Sequence, residues 1–114
     1  MGTTVAEASK ILADAIKNSE EYKNYKQCQY ELKKNPQMET TVNELRRYNF
    51  ELQNAEGVSD MYDEVAKIYD RFASVRRNTA ARRYLRAEMS LCRMTQEMVR
   101  NIFDEIDIDL DFIE

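Results

Sequence analysis

The sequence predicts an all-α protein: a bundle of four to five amphipathic helices with a long C-terminal helix and a short acidic tail. Three observations carry this reading. The 114 residues include two glycines, Gly2 and Gly57, and one proline, Pro36, so the backbone has few places to turn or break. Charged residues make up 33% of the chain. Apolar residues recur every three or four positions over most of its length, the spacing of one helix face. Neither an internal repeat nor a low-complexity linker interrupts the pattern, so residues 1–114 read as a single helical domain. A chain of this size can bury roughly two thirds of its unfolded surface.

The elements follow in order. Val5, Ala8, Leu12, Ala15 and Ile16 mark a first helix ending near Asn18. Ser19 is a natural N-cap, and Glu20 and Glu21 set negative charge on the positive end of the second helix. Tyr22, Tyr25, Cys28 and Leu32 line one face of that helix, and Lys33 and Lys34 suit its negative C-terminal end. Pro36 disfavours a helical Asn35, so the chain turns there, and Pro36 itself is pre-set for the first position of a third helix.

Met38, Val42, Leu45, Tyr48 and Leu52 form the face of the third helix, with Gly57 as its left-handed C-cap. Ser59 or Asp60 starts a fourth. Its Met61, Val65, Ile68, Phe72 and Val75 alternate in steps of four and three, close to a heptad seam. A break at Asn78-Thr79 caps the fifth and longest helix, which runs to about Glu105.

That last helix has two faces. Tyr84, Ala87, Leu91, Met94, Met98 and Ile102 fall within an arc of about 80°, widened by Cys92, Val99 and Phe103. Arg82, Arg86, Arg93 and Arg100 lie within about 40° of one another on the other side. From Arg71 to Phe103 there are eight arginines and no lysine against Glu88 and Glu97. From Asp104 to Glu114 there are six acids and no base. Arginine's planar fork suits carboxylates and phosphates, so an acidic protein partner, the chain's own tail or an RNA backbone could each meet this face; a plain solvated helix face is the fourth reading. In the tail over 104–114, Ile106, Ile108, Leu110 and Phe112 alternate with Asp107, Asp109 and Asp111, the period of an extended segment rather than a helix. An ordered extended tail, the fraying end of the helix and partial disorder all fit that pattern.

Composition excludes much chemistry. With no histidine and no glycine-rich loop, the usual apparatus for acid–base, metal or phosphate work is missing. The tail aspartates lack the glycine and distal glutamate of a calcium loop, so a metal enzyme built on Asp107, Asp109 and Asp111 is the weakest reading. Cys28 and Cys92 form no CxxC pair and both fall on apolar arcs, as core thiols do; shared ligation of an iron–sulfur cluster with a partner is the sharper alternative. A net charge of −4 and a pI near 5 give no global pull towards nucleic acid or an anionic membrane. No apolar run approaches the ~18 residues that span a bilayer, and the opening residues lack the basic start and apolar core of a signal peptide. The expected location is cytoplasmic.

Several stretches resemble the YlbF/YmcA family of small bacterial helical regulators. They are Leu12 to Tyr25 (LADAIKNSEEYKNY), Leu32-Lys33-Lys34-Asn35-Pro36, Glu44-Leu45-Arg46 and Tyr84-Leu85-Arg86-Ala87-Glu88, in the family's order over nearly the whole chain. The resemblance implies an all-α protein without catalytic residues, cofactor-free by itself and prone to self-association. Family members act in complexes that modulate RNA processing by ribonuclease Y and thereby competence, sporulation and biofilm formation. Some partner complexes carry cysteine-ligated iron–sulfur clusters, but Cys28 and Cys92 align with no cluster motif.

The expected function is therefore a non-enzymatic regulatory adaptor. It would bind copies of itself, as a dimer through the fourth and fifth helices, and protein partners such as related family members or a ribonuclease complex. Arg76, Arg77, Arg82, Arg86, Arg93 and Arg100 are the candidate partner-binding residues. An RNA-binding module using the arginine face of residues 76–100, with Arg83, is the alternative.

Overall fold

The computed structural model of the chain describes residues 2–54 and 61–107. These residues form six helices and no strand: α1 (Val5–Lys17), α2 (Glu20–Lys33), α3 (Pro36–Gln53), α4 (Met61–Arg71), α5 (Ala73–Arg77) and α6 (Thr79–Glu105). The sequence-predicted starts of α2, α3 and α6 hold, and each rests on a side-chain oxygen. Ser19 Oγ accepts from the Tyr22 amide at 3.2 Å and donates to the Ile16 carbonyl at 2.6 Å, closing α1 and opening α2 with one hydroxyl. Asn35 Oδ1 accepts from the Met38 amide at 3.2 Å, and Pro36 takes the first position of α3. Asn78 Oδ1 accepts from the Ala81 amide at 2.9 Å. The start of α1 rests on a cap as well: Thr4 Oγ1 accepts from the Glu7 amide at 3.1 Å and donates to its carboxylate at 3.0 Å, with the Thr-x-x-Glu spacing of a helix start.

The fourth predicted helix is two helices. The chain leaves the α conformation at Phe72 (φ −108°, ψ 31°), so Met61–Val75 is not one continuous seam. The break leaves carbonyls at the end of α4 without intrahelical partners, and the Arg76 guanidinium donates to that of Tyr69. Turning here drives the Phe72 and Val75 side chains inward, to 3% and 2% exposure, while Val65 earlier on the seam stays exposed. Gly57 and the Ser59–Asp60 start lie outside the described residues, as does the alternating tail beyond Asp107. Asp107 itself has φ 58°, a left-handed residue just past α6, where aspartate is among the side chains that tolerate it.

The chain packs as two compact units, Met1–Lys26 with Arg86–Glu114, and Gln27–Leu85. The second holds nearly all the well-buried apolar side chains: Cys28 and Leu32 of α2, Val42 of α3, Phe72, Val75 of α5, and Ala81 and Tyr84 of α6. Its α3 lies against α5, Lys33 pairs with Glu39 at 3.2 Å, and the Arg46 guanidinium sits 5.7 Å from the Tyr84 ring centre. In the first unit, Ala87 alone is buried among the described residues. No residue of α1 is buried; Leu12 and Ile16 are half-buried, and Val5 and Ile11 are exposed.

Val42 and Ile11 should therefore respond oppositely to truncation. Val42→Ala opens a cavity in the packed unit and is expected to cost about 2 kcal/mol in urea unfolding. Ile11→Ala, on a side chain already in water, should stay within about 0.5 kcal/mol of the parent.

Candidate functional site

The long helix presents the faces from which a binding site can be built. At 27 residues α6 is about 40 Å long. Its apolar arc is covered at the start and uncovered towards the end. Ala81, Tyr84 and Ala87 are buried, Leu91, Met94 and Met98 are half-buried, and Val99, Ile102 and Ile106 are exposed. Cys92, expected in the core, is exposed, because it sits on the flank of the arc in this open half. Cys28 is buried as expected. Between Met94 and Ile106 the open face forms a shallow groove of about 470 Å³, lined by Met94, Met98, Ile102 and Ile106, with Glu97, Asn101 and Glu105 supplying its polar atoms.

The six candidate arginines are shared between two helices, α5 and α6. Arg82, Arg86, Arg93 and Arg100 are all exposed on one side of α6. Arg76 and Arg77 lie on α5. Arg76 is half-buried and committed to its own neighbourhood: besides its bond to the Tyr69 carbonyl, its guanidinium stacks 3.4 Å from the centre of the Tyr69 ring. Arg77 is exposed. Arg83, named for RNA contact, instead lines a small pocket of about 220 Å³ with Cys28, Glu31, Thr79 and Ala80.

One further cluster, which no local spacing announces, joins α3 to α4. The Tyr48 hydroxyl donates to Glu64 Oε2 at 3.0 Å, and Lys67 pairs with the other oxygen of that carboxylate at 3.4 Å. Arg71 lies over both the Tyr48 and Phe72 rings, whose centres are 6.5 Å apart. The hydrogen bond and the charge of Glu64 hold the Tyr48 phenol above its ordinary pKa, so it keeps its proton and donates. The result is a clasp between two helices. Among the described residues, no group of three or more His, Cys, Asp or Glu side chains is placed to hold a metal ion. Nor is any helix long and apolar enough there to cross a membrane.

Residues 5–107 match the family model described as control of competence regulator ComK, YlbF/YmcA. No curated protein and no solved structure matches the chain.

The clasp has a pH signature. A phenol whose pKa is raised by folding stabilises the folded state fully below its unfolded value near 10, and that contribution is lost as pH rises through the folded value. Chemical denaturation at a series of alkaline pH values should give a falling limb above about pH 10 that is shallower in Tyr48→Phe. Equal slopes in the two proteins would remove the clasp from the account of stability.

Proposed function

The chain belongs to the YlbF/YmcA family, and we propose that it is a non-enzymatic regulatory adaptor that associates with itself and with protein partners. The family's description concerns control of a competence regulator. The finer reading follows the resemblance: the adaptor works in a complex that modulates RNA processing, and through it developmental choices such as competence, sporulation or biofilm formation.

One observation carries the proposal. The apolar stripes of α1 and of the second half of α6 stay open to solvent in a chain whose buried side chains are gathered elsewhere. Val5, Ile11, Val99, Ile102 and Ile106 are between 43% and 85% exposed. Exposed apolar surface concentrated on two amphipathic helices is what a helix-binding surface looks like before its partner arrives. Met94 and Met98, half-buried on the same arc of α6, add side chains that repack against more than one partner shape.

The arginine row on α6 favours a second reading, contact with an RNA backbone. Capture of the tagged protein from its host, with and without ribonuclease, separates the two. Partners retained after ribonuclease are expected, with a related family member or a ribonuclease among them. Complete loss of partners on ribonuclease treatment would overturn the adaptor reading in favour of RNA. In that case binding should also fall steeply with salt, as phosphate contacts release counterions.

A further inference from the structure

The end of α6 is shaped to send the chain back along the helix. Asp107 has φ 58°, and its amide donates to the Asp104 carbonyl at 3.3 Å. A left-handed residue with that bond ends a helix in the Schellman manner, which commonly sets the next residue against the third residue from the helix end. Counted from Asp107, those two residues are Ile108 and Phe103, both apolar. The sequence beyond the turn suits such a return. Ile108, Leu110 and Phe112 alternate with Asp109 and Asp111, so an extended chain has one apolar edge and one acidic edge.

The helix offers a matching strip. Val99, Cys92, Phe103, Gln96 and Arg100 follow one another over about 100° of its surface, from apolar to basic. All but the half-buried Phe103 are exposed. The other flank of the groove carries Glu97, Asn101 and Glu105, whose carboxylates would repel the same aspartates.

We propose that residues 108–112 dock antiparallel on α6, with Leu110 and Phe112 on the Val99–Phe103 side and Asp109 and Asp111 on the Arg100 side. The lengths agree. Arg100 lies about 10 Å back along the axis from Asp107, and an extended chain brings Asp109 and Asp111 to about 7 and 13 Å, either side of it. Val99 is about 12 Å back, between Leu110 at about 10 Å and Phe112 at about 17 Å. Glu97 and Asp104 sit beyond the arginines, farther round from Val99, so they do not stand between Asp111 and Arg100. Exposed ion pairs hold little by themselves, so the apolar edge supplies the affinity and the carboxylates choose the flank. The docked tail covers one side of the open half of α6 and leaves the Met94–Ile106 ridge clear. A partner that needs Val99 or Arg100 has to displace it, which makes the tail a built-in competitor. This seat is a property of the chain alone and does not depend on the adaptor reading.

The test reads alkylation at position 99 in the full chain. Val99→Cys puts a thiol under the tail, a neutral maleimide reports its accessibility, and peptide mass spectrometry separates it from Cys28 and Cys92. Adding Leu110→Asn and Phe112→Asn removes the apolar edge without changing any charge. Circular dichroism checks that helix content is kept. Alkylation should become about fivefold faster once the apolar edge is gone, because protection follows the fraction of time the tail is bound. Asp109→Asn with Asp111→Asn should give an intermediate rate. Equal rates with and without the apolar edge would overturn the inference, and an unchanged rate in the asparagine pair would overturn the placement on the arginine flank. Protection should be the same at every protein concentration. Protection that grows with concentration would also overturn the inference, since the tail would then be docking on a second copy.

Discussion

With almost no glycine or proline, this chain turns mainly by ending helices on side chains, and most of the fold depends on that constraint. Thr4, Ser19, Asn35 and Asn78 open helices by accepting from free amides. Asn18 and Asn54 close them from the other end, donating to the Asp14 and Phe50 carbonyls at 2.9 and 2.8 Å. The same amide side chain serves both ends because it offers an acceptor and a donor. Each such cap contributes about 1 kcal/mol, which is small against a packed core but decisive for where a helix stops. Once Asn35 and Asn78 fix the starts of α3 and α6, Val42, Ala81 and Tyr84 are carried into one core.

The break at Phe72 is a different device. No turn-forming residue marks it, and the local spacing favours a continuous helix through Val75. Tertiary packing overrides that preference. Burying Phe72 and Val75 stabilises by about 1.5–3 kcal/mol per side chain, more than the hydrogen bonds lost in one turn. Arg76 limits the loss further by covering the Tyr69 carbonyl. Arg71, immediately before the break, spreads over the Tyr48 and Phe72 rings, so the chain's departure from helix is held on both sides.

This contrast explains what the sequence discloses and what it withholds. Helix starts were legible because a cap is a local arrangement of one oxygen and an amide two or three residues away. The split at Phe72 was not, because its cause is a set of contacts made with α3, such as that of the Phe72 ring with Tyr48, 24 residues earlier. Helical periodicity likewise placed Cys28 and Cys92 on apolar arcs alike, yet one is buried and the other exposed. An arc states which side of a helix is apolar and is silent on how far along the helix its cover extends. The candidate site has the same character: its arginines could be counted in the sequence, but the commitment of Arg76 to the Tyr69 carbonyl and ring needed the structure.

The uneven distribution of buried side chains ties the fold to the proposed role. A helix that covers its apolar arc within the chain is finished, whereas α6 is finished only in its first third. Its remaining length has two separable properties. The methionine and isoleucine ridge supplies apolar area and accepts many shapes, which gives affinity with little discrimination. On the far side of the helix run the exposed Arg93, Glu97, Arg100 and Asp104, whose surface pairs are worth little individually and whose charge acts on orientation and partner choice. Arginine suits that task better than lysine, since its planar fork meets a carboxylate in a fixed geometry.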